Sequence, residues 1–366
     1  MPVTDHPDFD AHEAVLFVAD RRAKLRAIIA LHDTSLGPAL GGVRMYPYVN
    51  EDAALTDVLR LSRGMTYKNA MAGVPMGGGK AVIIGNPRRD RTDRLMIAYA
   101  AQVNQLGGRY VTAEDLGMSL ADLKLIARHS PYVTGVADAD HQGDPGPKTA
   151  LGVYHGIRAA VQVALGRHSL SGTSVAIQGL GNVGWALAQR LHADGAQLIV
   201  ADTDATRAEL AAAEFGARVV STEEMLTTPA DVLSPCALGG VLSAHTIARL
   251  KVAVICGCAN NQLANRTAGE QLREKNIAYA PDYVVNAGGV IAVAGEYLGQ
   301  STAAGINARI ERIYQTTLDI LERARDEQRA TSEVADSMAR RILQDARLGR
   351  RPPPLTDRDN PATGSW

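Results

Sequence analysis

The sequence TSVAIQGLGNVGWALAQRLHADGAQLIVAD, residues 173–202, decides the fold of this chain. The apolar run Val175–Gln178 has the length and composition of a buried strand, and a second apolar run, Leu198–Ala201, ends at Asp202. A glycine-rich turn and a helical segment separate the two runs. The turn consists of Gly179, Leu180, Gly181, Asn182, Val183 and Gly184. This order of strand, turn, helix and strand predicts a β-α-β unit of a doubly wound parallel sheet.

The glycines of the turn and the acid after the second strand predict a dinucleotide-binding site. In such units one glycine permits the tight turn, a second lets a pyrophosphate approach the main chain, and a third lets helix and strand pack closely. We assign these roles to Gly179, Gly181 and Gly184. The pyrophosphate would bind the free N–H groups at the helix N-terminus. Asp202 lies 23 residues after Gly179, near the spacing of about 20 expected for a carboxylate that binds the adenosine ribose of NAD.

The composition is that of a globular protein. Its 366 residues are enough for two domains, and 46% apolar with 21% charged residues predict a sizeable core. A net charge of −1 argues against a nucleic-acid partner, and no apolar run reaches the roughly 18 residues of a membrane span. The acidic N-terminus does not resemble a signal peptide, which predicts a cytoplasmic protein. Cys236, Cys256 and Cys258 are expected to be buried reduced thiols, and no metal site is expected.

The first half of the chain alternates strand-like and helix-like segments, with helices expected over 51–65 and 91–106. The expected strands are Ala14–Val18, Leu25–His32, Lys80–Ile84 and Tyr110–Thr112. Four segments between or within these elements contain glycines and charged residues, which contribute little to the packing of an apolar core. They are LGPALGGVR (36–44), GMTYKNAMAG (64–73), PMGGGKAVI (75–83) and TAEDLG (112–117). Since the nucleotide unit occupies the second half, we expect these segments to form the substrate site.

Lys68 and Lys80 are each flanked by apolar residues. Such a lysine either extends its ammonium group along apolar neighbours to solvent or points into a cleft. Lys80 follows three glycines, where the missing side chains would let a ligand approach the main chain, and it begins an apolar strand. A partly desolvated ammonium group can serve as a general base near neutral pH. Asp115, at the end of a predicted strand, is expected to set the charge state of that lysine.

Eight motifs occur in a fixed order along residues 14–347. They are LGPALGG (36–42), GMTYKNA (64–70), GGGKAVIIG (77–85), YVTAEDLG (110–117), GDPGPKTALGVYHG (143–156), PCALGG (235–240), ANNQL (259–263) and YAPDYVVNAGGVI (279–291). In these motifs the chain resembles the leucine, valine and phenylalanine dehydrogenases of the amino-acid dehydrogenase superfamily. The resemblance implies an α/β fold of two domains around a deep cleft. One is a mixed-sheet substrate domain, and the other is a Rossmann-like, doubly wound dinucleotide-binding domain.

The resemblance also implies roles for single residues. Lys80 matches the catalytic lysine that activates water, and Asp115 matches the acid that assists it in proton transfer. Lys68 matches the lysine that binds the substrate α-carboxylate, and Asn261 matches an asparagine near the nicotinamide and that carboxylate. The remaining positions match walls of the substrate and cofactor sites. They are Gly41 and Gly42 beside the substrate amino group, Leu40, Met65, Val290 and Val293 around the substrate side chain, and Thr149 and Ala237 at the cofactor.

The reaction implied is NAD-dependent, reversible oxidative deamination of an L-amino acid to a 2-oxo acid and ammonia. The apolar pocket residues favour branched aliphatic substrates, namely leucine, valine and isoleucine. An aromatic amino acid such as phenylalanine or tryptophan is the main alternative, and a dinucleotide-binding protein without catalysis is a further one. The chain departs from the usual leucine dehydrogenase pattern at Gly295 and Tyr297, and in a shorter connection over 137–146. These departures bear on the substrate pocket rather than on the reaction.

The expected domain boundaries follow from the motifs. Residues 1–145 would form the substrate-binding and oligomerisation domain, completed by C-terminal helices at 330–350, and residues 146–329 the NAD-binding domain. The proline-rich tail, 351–366, is expected to be disordered. The apolar early strands would leave an exposed sheet edge in a monomer, which predicts a homo-oligomer.

Overall fold

A computed structural model describes residues 2–136, 145–300 and 302–350, which form two β-sheets covered by helices. The strands are β1 Ala14–Asp20, β2 Leu25–Asp33, β3 Ala39–Tyr46, β4 Gly77–Ile84, β5 Tyr110–Glu114, β6 Ser174–Gln178, β7 Gln197–Ala201, β8 Arg218–Val219, β9 Val232–Pro235, β10 Val254–Ile255 and β11 Ala278–Tyr279. The helices are α1 Glu51–Met71, α2 Asp93–Gln105, α3 Leu120–Ala127, α4 Pro145–Leu165, α5 Asn182–Ala193, α6 Ala205–Phe215, α7 Thr222–Met225, α8 Ala244–Arg249, α9 Ala268–Glu274, α10 Asp282–Val285, α11 Gly288–Tyr297, α12 Ala303–Glu327 and α13 Thr331–Arg347. One sheet is mixed and the other parallel, so the predicted fold class is confirmed.

The mixed sheet belongs to the first half of the chain and has the strand order β1-β2-β4-β3-β5. β1, β2 and β4 pair antiparallel, whereas β4, β3 and β5 pair parallel. β4 begins at Gly77, so Lys80 lies inside the strand and not at its start as expected. The adjacent glycines face protein and not a ligand. A Cβ atom on Gly78 would lie 2.0 Å from the Thr66 amide nitrogen, and one on Gly79 would lie 2.9 Å from the Tyr110 ring. Gly78 therefore lets α1 pack directly on the sheet, and Gly79 leaves room for the Tyr110 ring of β5.

The parallel sheet belongs to the second half and has the order β11-β10-β9-β6-β7-β8. β6, α5 and β7 form the β-α-β unit predicted over 173–202, and the strand bounds differ from the prediction by one residue. Gly179 has a φ of +96°, as the tight turn requires. A Cβ atom on Gly184 would lie 2.0 Å from the Gly179 carbonyl oxygen. Both glycines thus have the structural roles that the sequence predicted.

α13 returns to the first half, whereas α12 packs mainly on α4. The helical structure expected at 330–350 corresponds to α13, and Gln328 ends the preceding α12 in a left-handed conformation. One face of α13 packs on α1. The buried residues of this contact include Tyr67, Ala70, Met71, Val334, Ala335, Ala339, Ile342 and Leu343. Near the end of α13, Arg347 forms an ion pair with Asp33, whose side chain is 1% exposed. α13 thereby covers the outer face of α1.

Two predicted segments fall partly or wholly outside the described residues. Of the connection noted over 137–146, only residues 145 and 146 are described, and they already belong to α4. The tail at 351–366, predicted to be disordered, lies outside the described residues. The boundary between domains at 145 and 146 stays a prediction. Across the described ranges, the helices lack the combination of length and apolar composition that a membrane span requires.

Candidate active site

The centre of the site is an ion-pair network formed by neighbouring strands of the mixed sheet. The Lys80 Nζ atom on β4 lies 2.9 Å from Oδ2 of Asp115, which directly follows β5. The same oxygen accepts a hydrogen bond of 2.9 Å from Nε of Arg44 on β3. Lys80 is buried, with 6% of its side chain exposed. One carboxylate oxygen is therefore shared by two cations, and the two residues predicted to be catalytic are in direct contact.

A second carboxylate holds Arg44 from the other side. Asp57 of α1 accepts a hydrogen bond of 2.9 Å from Nη1 of Arg44, and the Tyr48 hydroxyl donates to the same Asp57 oxygen at 2.5 Å. Burial alone would raise the pKa of Asp115, but the charges and hydrogen bonds of Lys80 and Arg44 lower it well below its usual range. Asp115 is therefore ionised at any pH at which an enzyme of this kind would work.

Lys68 stands on α1, opposite the network. It is half-buried, and its Nζ atom lies 3.4 Å from Oδ1 of Asn260, a residue of the second half of the chain. Burial lowers its pKa to about 8, and the positive charge of Lys80 acts in the same direction, whereas the buried Asp282 opposes it. A carboxylate bound beside Lys68 would favour its charged form, so the site is suited to bind an anion.

Gly41 and Gly42 leave no space for side chains. A Cβ atom on Gly41 would lie 1.7 Å from the Gly79 carbonyl oxygen, and one on Gly42 would lie 2.9 Å from Cβ of Asp115. The Gly41 carbonyl accepts a hydrogen bond of 2.7 Å from the Tyr110 hydroxyl. A side chain at either position would displace β4 or Asp115, so these glycines keep the strands and the network in register.

The four residues predicted to surround the substrate side chain belong to one apolar cluster. Leu40 and Val290 are buried in it, and Met65 and Val293 pack against it. Met65 also lies close to Gly41, since its Cγ atom would be 3.3 Å from a Cβ atom there. Of the two positions that depart from the leucine dehydrogenase pattern, Gly295 packs towards α12, and Tyr297 packs on the same apolar cluster.

The dinucleotide loop offers main-chain groups and open space. A Cβ atom on Gly181 would meet no atom within 4 Å, and α5 begins without a side-chain cap, so its first N–H groups are available to a ligand. Asp202 accepts a hydrogen bond of 2.6 Å from the Leu180 N–H. This bond fixes the loop and sets a carboxylate at its side. The residues therefore fit a dinucleotide with its pyrophosphate on the helix N-terminus.

Other residues predicted at the cofactor border this loop or the first turn of α4. Asn182 and Val183 begin α5. The Ala237 side chain lies against the loop, because a Cβ atom on Gly179 would be 2.8 Å from that of Ala237. Thr149 lies near the start of α11, where a Cβ atom on Gly289 would be 2.9 Å from its Oγ1 atom.

Asn260, which precedes the predicted Asn261, contacts Lys68. Asn261 is exposed, has a φ of +54°, and accepts a hydrogen bond of 2.7 Å from the Gly240 N–H through its carbonyl oxygen. Both asparagines lie in the ANNQL motif, so the motif located the segment while the structure selects the side chain at the lysine. The role of Asn261 stays a prediction. Sequence reasoning also missed Arg44, although it ends one of the segments singled out for glycine and charge.

Known proteins match this chain along nearly its whole length. The family model for the Glu/Leu/Phe/Val dehydrogenase dimerisation domain matches residues 12–132, and the Glutamate/Leucine/Phenylalanine/Valine dehydrogenase model matches 146–206 and 199–347. Leucine dehydrogenase of Bacillus subtilis (strain 168) is 45% identical over 340 residues, which are 93% of each protein. Valine dehydrogenase of Streptomyces albus is 44% identical over 349 residues, 94% of this chain and 96% of that protein. The crystal structure of L-tryptophan dehydrogenase from Nostoc punctiforme has a TM-score of 0.82 and 43% identity, covering 92% of this chain and 97% of that one.

Proposed function

The chain belongs to the Glu/Leu/Phe/Val dehydrogenase family, as its motifs predicted, and is an amino-acid dehydrogenase; from this premise we propose that it oxidatively deaminates branched aliphatic L-amino acids with NAD. The observation that carries this proposal is the contact of Lys80 with Asp115 beside a second lysine and an apolar cluster. A charged centre next to an apolar wall is complementary to an amino acid whose side chain is a hydrocarbon.

Each residue of the charged centre has a separate task. Lys68 binds the substrate α-carboxylate, which a partly buried site can hold only with a charged donor. Deprotonated Lys80 takes a proton from the attacking water at its Nζ atom, and Asp115 stabilises the resulting ammonium group. Arg44 keeps Asp115 ionised and oriented without touching the substrate. A bound nicotinamide cofactor supplies the hydride acceptor for the substrate Cα–H bond.

The apolar cluster supports aliphatic side chains. Leu40, Met65, Val290 and Val293 carry no group that could pair with a γ-carboxylate, so glutamate would leave a buried charge unpaired. Both valines are β-branched and therefore stiff, which favours compact branched side chains at the end of the pocket. One methylene changes discrimination by only about 1–3 kcal/mol, so we expect leucine, valine and isoleucine all to be used.

An aromatic L-amino acid is the second candidate. The observation in its favour is the fold similarity to an L-tryptophan dehydrogenase at 43% identity. A panel of L-leucine, L-valine, L-isoleucine, L-phenylalanine, L-tryptophan and L-glutamate, compared by kcat/KM with NAD, tests both candidates. A clear preference for an aromatic substrate would overturn the aliphatic assignment, and Val290→Ala should shift the ratio towards phenylalanine by enlarging the pocket.

Asp202 supports NAD over NADP. Its carboxylate would accept a hydrogen bond from the ribose and repel a 2′-phosphate. Arg207 is the nearby residue whose side chain could pair with the 2′-phosphate of NADP. It already forms an ion pair with Asp204, whose carboxylate lies 3.5 Å from its Nε atom. We expect kcat/KM with NAD to exceed that with NADP, and Asp202→Ser to narrow the difference. Equal efficiency of the wild type with both cofactors would contradict the assignment.

We also propose that the enzyme is a homo-oligomer built through the mixed sheet. β1 is the edge strand of that sheet, and Phe17 on it is 48% exposed. An unpaired apolar edge favours pairing with another chain. Light scattering at micromolar concentration should return at least twice the mass of one chain, and Phe17→Lys should lower it if this edge is the contact.

A further inference from the structure

Two of the three cysteines lie side by side at the carboxyl ends of β9 and β10. These strands pair in parallel, and just past them the Ala259 N–H donates to the Pro235 carbonyl oxygen at 2.9 Å. Cys236 and Cys258, the adjoining residues on the two chain segments, are therefore neighbours. The Cys258 Sγ atom donates to the Cys236 carbonyl oxygen at 3.7 Å.

The two thiols are not equivalent. The proximity of Cys258 lowers the pKa of Cys236, and the Ser234 hydroxyl, 3.4 Å from the Cys236 sulfur, acts in the same direction. The same thiol contact raises the pKa of Cys258, as does its burial. Since the thiolate is the nucleophilic form, Cys236 is the sulfur that attacks and Cys258 is the neighbour that can follow.

The third cysteine has a different environment. Cys256 is buried, and its Sγ atom lies 3.6 Å from the Val153 carbonyl oxygen on α4, whereas Cys236 and Cys258 are partly exposed. Burial raises the pKa of the Cys256 thiol well above its ordinary value. A small reagent in solution can therefore reach Cys236 and Cys258 but not Cys256. Cys256 thus serves as an internal control for accessibility.

The pair lies between the dinucleotide loop and the lysine that we assign to the substrate carboxylate. A Cβ atom on Gly184 would be 3.5 Å from Cβ of Cys236, and the neighbouring Ala237 lies against Gly179. On the other side, the Cys258 carbonyl accepts a hydrogen bond of 3.1 Å from Asn286, which also donates to Asn260 at 2.8 Å. Movement of either cysteine is thus transmitted directly to the cofactor loop or to the Lys68 side.

We propose that Cys236 and Cys258 are a site of reversible disulfide formation, and that the bond weakens cofactor binding. The oxidant is a small-molecule disulfide. The Cys236 thiolate attacks one of its sulfurs, a mixed disulfide forms, and the first reagent thiolate leaves. Cys258 then gives up its proton, attacks the Cys236 sulfur and expels the second reagent thiolate. The protein loses two thiol protons and two electrons, and the reagent disulfide takes them up to become two thiols.

The geometry explains why the bond would matter. The Cys258 sulfur, 3.7 Å from the Cys236 carbonyl oxygen, must approach the Cys236 sulfur to about 2.05 Å to form a disulfide, so the ends of β9 and β10 are drawn together. This movement pulls Ala237 away from the glycine loop. The effect on cofactor binding depends on the proposed function of that loop, whereas the formation of the disulfide does not.

Glutathione disulfide is the probe. After incubation and removal of the reagent, intact-mass measurement with alkylation should find two thiols lost and one, Cys256, still free, and dithiothreitol should restore all three. Cys258→Ser should stop at one glutathione adduct on Cys236, Cys236→Ser should remain unmodified, and Cys256→Ala should behave as the wild type. Three free thiols in the wild type, or the same result for every variant, would overturn the site.

The functional half has its own readout. NAD titrated by fluorescence should bind at least tenfold more weakly to the oxidised wild type than to the reduced protein, with full recovery on reduction, and saturating NAD should slow disulfide formation. A disulfide that forms with unchanged NAD affinity would overturn the link to the cofactor while leaving the cysteine site. The proposed function itself is tested separately, with the reduced protein: it would fail if that protein oxidised none of the amino acids in the presence of NAD.

Discussion

The two sheets build their binding sites from different atoms. In the parallel sheet the binding groups belong mainly to the main chain. Gly179 makes the turn, Gly181 leaves space, and the first N–H groups of α5 have no side-chain cap. In the mixed sheet the binding groups are side chains, and Lys80 and Arg44 share one oxygen of Asp115. A site made of main chain is specified by one short stretch of sequence, whereas a site made of side chains depends on how distant strands are ordered.

This difference predicts how each site fails. Substitution at a main-chain site acts through shape and should affect only the ligand that occupies it. Substitution in a charge network acts on every member, because removing one partner leaves a buried charge uncompensated. The following variants separate these two behaviours.

The largest effect is expected for Lys80→Ala. It should reduce turnover by roughly 10²–10⁴-fold, the contribution of general acid–base catalysis, while NAD affinity stays as in the wild type. Asp115→Asn should also lower turnover severely and displace the pH–rate profile. Lys251→Ala, at an exposed position, is the matched control and should change nothing. Steady-state kinetics with L-leucine and a separate NAD titration are the measurements; a Lys80→Ala enzyme with near-wild-type turnover would remove Lys80 from the mechanism.

Arg44→Gln comes next. Hydrogen bonds to charged groups contribute about 1.5–3 kcal/mol each, so loss of the bond to Asp115 should lower kcat by roughly 10- to 100-fold and displace the pH–rate profile. Arg44→Lys should recover part of the loss, because it keeps the charge. Arg60→Gln is the control, since Arg60 pairs with Asp8 and its side chain is 66% exposed. An unchanged pH profile with a lowered melting temperature would mean that Arg44 is only structural.

Gly181→Ala should act on the cofactor alone. Its Cβ atom would meet no protein atom within 4 Å, so the fold is unaffected, but the methyl group would occupy space intended for the pyrophosphate. We expect the Kd for NAD to rise about tenfold or more, since tenfold corresponds to about 1.4 kcal/mol, with thermal stability unchanged. Gly64→Ala introduces a methyl group into equally open space on α1 and should leave NAD binding as it is. Equal NAD affinity of both variants would mean that the pyrophosphate does not bind beside Gly181.

The smallest effect concerns the pH dependence of Lys68. Its pKa is lowered to about 8 by burial, so its ammonium form, which binds carboxylate, is depleted as pH rises above that value. The Kd of an unreactive aliphatic carboxylate should therefore rise towards tenfold per pH unit above about pH 8, because each unit removes nine-tenths of the charged form. Lys68→Gln should bind the same ligand weakly and without this pH dependence. A flat wild-type profile up to about pH 9.5 would contradict the assignment.

What the sequence could predict follows the same division. The β6-α5-β7 unit was predicted to within a residue, because its strand, glycines, helix and acid are contiguous along the chain. Arg44 was not assigned a role, although its segment was singled out. β3 precedes β4 and β5 in sequence but lies between them in the sheet, and no apolar pattern encodes that order. The same ordering places Arg44 within reach of Asp115.

The glycines of β4 were misread for a related reason. Gly78 and Gly79 were expected to admit a ligand, and they admit Thr66 and the Tyr110 ring instead. A glycine in a strand marks a close approach without revealing what approaches. Likewise the ANNQL motif located the segment that reaches Lys68, but only the geometry distinguishes Asn260 from Asn261.

The docking of α13 on α1 has a consequence for how the protein is made. α1 carries Met65 and Lys68, yet its outer face, with Tyr67 and Met71, is covered by segments from the end of the described chain, chiefly by α13, which begins at residue 331. During synthesis the first half of the chain emerges from the ribosome long before that helix exists. Because domains tend to fold as they emerge, the nascent enzyme carries an open apolar stripe until α13 has been translated. A helix that begins at residue 331 therefore closes a packing unit begun by β1 at residue 14.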